Sequence, residues 1–284
     1  MSIVYLDGKW LKKEEAFVSV FDHGLLYGDG VFEGIRAYGG KIFRLQEHLE
    51  RLYDSAKAIW LTVPMPIAEL AQLHLDGVKK AGLDDCYIRT VITRGTGDLG
   101  LDPRKCKAPT VFIIFDKIAL WPEERYAQGL KVVTASTPTP HRESLSPRVK
   151  SLNYLPHIMA KAEGIVAGAD EVLMLDAAGF VAEGSGANLF VVRRGRLLTP
   201  SASSGILRGV TRDAVIELAQ AAKIPVAETT LNRFDVYTAD EVFFTGTGAE
   251  VIHANSVDGR SIGDGKAGKV TLQLREAFRK LVRQ

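Results

Sequence analysis

The chain predicts a mixed α/β protein of two domains, with hairpins and helices intermixed rather than strictly alternating. Three observations lead there. Glycine-centred turns between short apolar runs mark β-hairpins at Asp7-Gly8 and Gly39-Gly40. Apolar residues at three- and four-residue spacing mark helices in both halves. The stretch from Lys117 to Gly129 breaks both periodicities and reads as a connection. The expected boundaries are a small amino-terminal α/β domain at 1–118, a linker at 119–129 and a larger domain at 130–284. At 284 residues the chain is long enough for two modest cores.

Taken in order, Ile3 to Leu6 and Lys9-Trp10 form the arms of the first hairpin. Gly30 to Tyr38 and Lys41 to Leu45 form the second. Glu47 to Leu61 carries Leu49, Leu52, Tyr53, Ala56, Ile59 and Trp60 on one helical face. Ala68 to Lys80 is a helix stopped by Ala81-Gly82. Strands follow at Cys86 to Thr93 and Thr110 to Asp116. In the second half, strands are expected at Leu130 to Ser136, Glu171 to Leu175, Asn188 to Val192 and Glu241 to Phe244. Helices are expected at Tyr154 to Ala167, Val210 to Ala222 and Lys266 to Val282. Arg193-Arg194-Gly195-Arg196 reads as a hairpin turn. Without strict strand–helix alternation, a doubly wound parallel sheet is not predicted.

Composition excludes several classes of function. A net charge of +2 with dispersed basic residues argues against nucleic-acid or membrane-surface binding. No apolar run reaches the ~20 residues that span a bilayer, and the amino terminus lacks a secretory signal pattern. Cys86 and Cys106 lack metal-ligand spacing and read as free thiols of a reducing, cytoplasmic compartment. The six histidines are scattered, so no metal site is expected. Gly95-Thr96-Gly97-Asp98-Leu99-Gly100 is a literal GxGxxG. Pro103 falls where a dinucleotide-binding helix would have to run, so the segment reads instead as an ordered loop.

Two segments carry the strongest chemistry. Lys150-Ser151-Leu152-Asn153-Tyr154 offers an amine and a phenol before a helix. Glu183-Gly184-Ser185-Gly186-Ala187-Asn188 offers a carboxylate in a glycine-rich turn leading into a strand. An amine able to form a Schiff base, with a carboxylate for a ring nitrogen, is what pyridoxal 5'-phosphate (PLP) chemistry asks of a protein. Gly205 to Asp213 enters a helix, with Gly209 freeing the backbone and Thr211 offering a hydroxyl, as anion binding at a helix N-terminus requires. Thr245-Gly246-Thr247-Gly248-Ala249 adds another glycine-spaced hydroxyl.

These motifs, in this order, resemble the class IV PLP-dependent aminotransferases, and Tyr154, Phe32-Glu33-Gly34-Ile35-Arg36 and Tyr87-Ile88-Arg89 resemble their branched-chain members. The resemblance covers His23 to Glu250. It implies the two-domain D-amino acid aminotransferase-like fold (fold type IV) with the active site between the domains. It also implies that Lys150 is the catalytic residue and that Arg51, Tyr154, Glu183, Val210, Thr211 and Thr247 hold the cofactor. Substrate contacts are implied for Tyr27, Phe32, Gly34, Arg36, Tyr87, Arg89, Leu101, Gly248 and Ala249. The loop around Gly95 to Arg104 would reach a neighbouring subunit, so a homodimer or higher homo-oligomer is expected. The implied reaction is transamination of Leu, Ile and Val with 2-oxoglutarate. Lys150-Ser151-Leu152-Asn153 also begins the lysine motif of the D-amino acid aminotransferases, so a D-amino acid or (R)-amine transaminase, or an aminodeoxychorismate lyase, stands as the alternative.

Overall fold

A computed structural model describes residues 2–117 and 121–284. The chain divides into two compact units. Among the described residues, the first holds 2–117 with Val149–Asn153, and the second holds 121–148 with Tyr154–Val282.

The first unit runs β1 (Ile3–Leu6), β2 (Lys9–Lys12), α1 (His23–Tyr27), β3 (Gly30–Tyr38), β4 (Lys41–Ile42), α2 (Leu45–Ala58), α3 (Ile67–Ala81), β5 (Cys86–Thr93) and β6 (Thr110–Asp116). Its strands make one antiparallel six-stranded sheet in the order β2-β1-β6-β5-β3-β4. Leu49, Leu52 and Ala56 of α2, and Leu70 and Val78 of α3, bury their side chains with Val31, Ile35, Ile88, Ile92 and Phe115 of the sheet. The α2 positions fall at the helical spacing read from the sequence. On α3, a side chain at Gly77 would collide with the Phe115 ring, so glycine sets how closely that helix meets the sheet.

The second unit runs α4 (Glu123–Gln128), β7 (Leu130–Thr134), α5 (Leu155–Val166), β8 (Glu171–Leu173), β9 (Asn188–Arg193), β10 (Arg196–Pro200), α6 (Val210–Ala221), β11 (Val226–Thr229), α7 (Arg233–Tyr237), β12 (Glu241–Gly246), β13 (Glu250–Val257), β14 (Arg260–Ser261) and α8 (Lys269–Leu281). An eight-stranded mixed sheet follows the order β11-β10-β9-β12-β13-β7-β8, with β14 on β13. β7 is parallel to both β8 and β13, and β10 is parallel to β11. Val242 to Thr245 of β12 are all buried, as expected of a strand covered on both faces. Phe190 and Phe243 stack at 5.0 Å across β9 and β12.

Several elements differ from the sequence expectation. β4 stops at Ile42, and Leu45 already belongs to α2. That helix ends at Ala58 because Trp60 is left-handed, at φ 58°, so Ile59 and Trp60 continue its apolar pattern without its backbone. Glu123–Gln128, inside the stretch read as a linker, is a helix of the second unit; residues 118–120 of that stretch lie outside the described residues. Arg194 (φ 50°) and Gly195 (φ 72°) form the expected turn between β9 and β10. The sequence reading had no strand at β10, β11 or β13, and no helix at α1 or α7. The GxGxxG segment is a loop followed by a single 3₁₀ turn at Pro103–Lys105, with no phosphate-binding helix.

Candidate active site

The lysine segment is fixed by a strand edge. β4 pairs only with Ala37 and Tyr38, and residues 149–153 pair with the other end of β3. Phe32 N–H donates to the Lys150 carbonyl and Leu152 N–H to the Gly30 carbonyl, both at 2.9 Å, while Ser151 bridges Val31. Lys150 N–H donates to Ser55 Oγ of α2 at 3.2 Å, and Asn153 Nδ2 donates to the Gly28 carbonyl at 2.9 Å. Each such bond contributes a net ~1 kcal/mol. Together they hold the Lys150 backbone to the rigid part of the first unit.

Alternation along β3 and β5 then sorts the side chains. Phe32, Gly34 and Arg36 share a face with their cross-strand partners Val91, Arg89 and Tyr87. Lys150 Nζ lies 4.5 Å from the centre of the Phe32 ring, and the Arg89 guanidinium lies 4.5 Å from the same ring. Arg89 also lies over Tyr87 at 5.6 Å and donates from Nη2 to its hydroxyl at 3.0 Å. A side chain at Gly34 would strike that hydroxyl. Phe32 therefore forms an apolar floor, with an amine and a guanidinium both on its ring. Arg36 lies farther along the strand, over Tyr38 at 4.6 Å, and lines a cleft of about 420 Å³ with Gly82, Asp84, Asp85 and Lys117.

The opposite face of β3 carries a residue that sequence reasoning left unassigned. Glu33 is fully buried. Arg51 Nε donates to its Oε1 at 2.7 Å and Nη2 to its Oε2 at 2.9 Å, while His48 Nδ1–H donates to Oε2 at 2.8 Å. Burial alone would raise the Glu33 carboxyl, but Arg51 and His48 more than offset it and hold it well below the usual carboxylate range. Burial lowers His48 against the pull of Glu33. Burial also lowers the Lys150 ammonium to about 8, with Glu33 opposing the shift and Arg51 adding to it. Lys150 is thus a far weaker base than a surface lysine. The i,i+3 spacing of His48 and Arg51, on a helix whose His48, Leu49 and Leu52 face inward, was the available sequence signal for this cluster.

In the second unit, Glu183 is buried and its Oε2 accepts from Asn188 Nδ2 at 3.0 Å and from Leu207 N–H at 3.1 Å. Asn188 Nδ2 also donates to the Leu207 carbonyl at 2.7 Å, so one amide joins the glycine-rich turn to the segment entering α6. A side chain at Gly209 would collide with Asn188 Oδ1. Val210 and Thr211 begin α6, both are buried, and Gly209 gives that helix no side-chain cap. Tyr154 precedes α5 and stacks on His157 at 4.6 Å. His157 Nδ1–H in turn donates to the Ser185 carbonyl at 3.1 Å. Thr247, Gly248 and Ala249 form the turn between β12 and β13, with the Ala249 carbonyl accepting from Tyr126 at 3.1 Å.

Two expected substrate residues sit elsewhere. Tyr27 ends α1 rather than lying on β3, and its hydroxyl donates to the Leu99 carbonyl at 2.6 Å. Leu101 is 79% exposed on the same loop. Neither shares the face that carries Phe32 and Arg89.

Comparison with known proteins identifies the family. The Amino-transferase class IV family model matches residues 30–257. A Methanocaldococcus jannaschii protein provisionally named a branched-chain-amino-acid aminotransferase is 48% identical over 276 residues, 97% of this chain and 95% of its own. The crystal structure of the Escherichia coli branched-chain amino acid aminotransferase superposes with a TM-score of 0.95 at 37% identity, covering 99% of this chain and 94% of that one. That of the Thermobaculum terrenum branched-chain amino acid aminotransferase in its PLP-bound holo-form gives 0.88 at 32% identity, covering 99% and 93%. By sequence along nearly its full length, and by fold, the chain belongs to the class IV aminotransferases.

Proposed function

We propose that this enzyme transfers the amino group of branched-chain L-amino acids to 2-oxoglutarate, giving 2-oxo acids and L-glutamate, with PLP as cofactor. The donor set fits PLP. An amine of lowered basicity, a buried carboxylate held by Asn188 and the Leu207 amide, and an uncapped helix start are all present, and they suit an aldehyde, a pyridine nitrogen and a phosphate respectively. When bound, PLP takes up the amino group and draws electrons from the substrate Cα.

The residues act around that chemistry. Lys150 would hold the cofactor through its aldehyde and, once released by the substrate's amine, would move the proton at Cα, a transfer that contributes about 10²–10⁴-fold. Glu183 would keep the ring nitrogen protonated, and Tyr154 would donate to the ring's phenolic oxygen. Arg51, Val210, Thr211 and Thr247 would each serve the phosphate. Gly248 and Ala249 bind the α-carboxylate; Phe32, Gly34 and Arg36 line the side-chain pocket.

The observation that carries the substrate reading is the Phe32 ring with Lys150 and Arg89 both against it. The same pocket has to accept an aliphatic side chain in one half-reaction and a carboxylate in the other. The ring suits the first, and the guanidinium, oriented by Tyr87, suits the second. Losing a charged hydrogen-bond partner costs about 1.5–3 kcal/mol. Arg89→Leu should therefore lower kcat/KM for 2-oxoglutarate roughly ten- to a hundredfold and leave leucine much less affected. Equal losses for both substrates would remove Arg89 from the side-chain pocket. The relatives named above are branched-chain enzymes and do not favour the D-amino acid, (R)-amine or lyase alternatives.

The reading includes at least a homodimer. On α5, Leu155, Ile158, Met159, Ile165 and Val166 are exposed along one stripe. In the first unit, Phe17, Val20, Phe21, Leu25, Leu99 and Leu101 are exposed as well. Gly97 N–H donates to the Phe21 carbonyl and His23 N–H to the Gly95 carbonyl, joining these segments so that Tyr27 and Leu101 can serve a neighbouring subunit. Free thiols at Cys86 and Cys106 are in keeping with a cytoplasmic location. Among the described residues no helix is long and apolar enough to cross a membrane.

A further inference from the structure

Glu33 has no part in the reaction as described, yet it is the most completely sequestered charge in the first unit. A carboxylate taken wholly out of water is expensive unless donors replace the water. Here three do, and two of them come from one side chain: Arg51 offers its Nε–Nη2 edge to both carboxylate oxygens, at 2.7 and 2.9 Å. Such a two-pronged pair fixes a guanidinium in orientation as well as in position. His48, buried and held neutral by its surroundings, donates from Nδ1 and locks the carboxylate from the α2 side. The cross-strand neighbour of Glu33 is Thr90, whose hydroxyl is bonded to His74 Nε2 at 2.6 Å. Glu33 and Thr90 are therefore both committed to partners on the helix side of the sheet, between the apolar Val31 and Ile35.

We propose that Glu33 is a positioning residue for the cofactor phosphate, acting through Arg51. Its two-pronged bond fixes the plane and position of the guanidinium before the cofactor arrives, so that the phosphate meets a cation of set orientation. An arginine on a helix surface would have to freeze its rotamers on binding; this one has done so on folding. The proposal rests on the assignment of Arg51 to the phosphate.

A competing effect has the opposite sign. A carboxylate near a phosphate repels it, so a Glu33 that acted only through its charge would weaken cofactor binding, and its removal would tighten it. Pairing with Arg51 and His48 cancels most of that field at a distance, whereas the directional constraint remains. Positioning should therefore win.

The test compares PLP with pyridoxal, which lacks the phosphate, as ligands of the cofactor-free protein. Loss of Glu33 also changes the basicity of Lys150, but that affects capture of both aldehydes alike, so the ratio of the two dissociation constants isolates the phosphate. In Glu33→Gln the preference for PLP over pyridoxal should fall about tenfold or more. An unchanged or increased preference would overturn the proposal, and so would equal weakening of both ligands, which marks a purely structural role. Arg51→Lys is the second variant, for use if Glu33→Gln does not fold. A lysine keeps the charge but cannot make the two-pronged bond, so the preference should fall there too, and a wild-type preference would overturn the proposal. Arg51→Leu separates the two levels: if it leaves the preference intact, the assignment of Arg51 to the phosphate fails, and not merely the role of Glu33.

Discussion

Burial, rather than a neighbouring base, weakens the basicity of the Lys150 amine and suits it to the covalent role proposed for it. Burial lowers its ammonium to about 8 from the ordinary 10.5, although the Glu33 carboxylate pulls the other way. Only the unprotonated amine attacks an aldehyde. Capture of PLP by the cofactor-free protein should therefore rise with pH about a midpoint near 8, and borohydride reduction followed by peptide mass mapping should locate the label on Lys150. A midpoint near 10 would mean that the amine is solvated, and a label on Lys150→Ala would mean that another lysine carries the chemistry. At this scale the sequence was most informative where a residue stands in a distinctive local pattern. Lys150 and Glu183 stand out in that way, and their proposed roles rest on it. Glu33 does not, because β3 is buried on both faces and shows no polar alternation to single out its charge. Asn188 was read only as the start of a strand, since its partners Glu183 and Leu207 come together through the fold.

Between elements, the decisive contact is the pairing of residues 149–153 with β3. The helices were readable because their apolar spacing is local: Leu49, Leu52 and Ala56 mark the buried face of α2 from the sequence alone. The lysine segment was not readable as part of the first sheet. It lies more than a hundred residues from Gly30, and its attachment is a short run of backbone bonds that leaves no side-chain signature. For the same reason β10 and β11 escaped detection, being short strands whose pairing depends on neighbours already in place. Proline at Leu152 would delete the N–H that donates to the Gly30 carbonyl. Leu152→Pro should speed hydrogen exchange of the neighbouring Phe32 amide about fivefold or more, as loss of ~1 kcal/mol of local restraint implies. Unchanged exchange at Phe32 would show that the side chains, and not this edge pairing, hold the segment.

For the whole molecule, the exposed apolar stripe on α5 calls for cover. If it is buried between subunits, Ile158→Glu should shift the sedimentation coefficient from dimer or larger towards monomer at micromolar concentration, with the far-ultraviolet spectrum preserved. Unchanged sedimentation would take α5 out of the contact. The fold class and the family were legible because the motifs recur in order from the first unit to the second. The exposed stripe was not legible, because Ile158 and Met159 are indistinguishable in sequence from the buried face of the same helix. The central claim is the reaction itself, and the purified enzyme can be asked directly. With PLP supplied, kcat/KM should be compared for L-leucine with 2-oxoglutarate, D-alanine with pyruvate, and (R)-1-phenylethylamine with pyruvate. L-Leucine with 2-oxoglutarate should be fastest by at least about a hundredfold. Turnover of D-alanine or of the amine at a rate equal to or above that of L-leucine would contradict the claim.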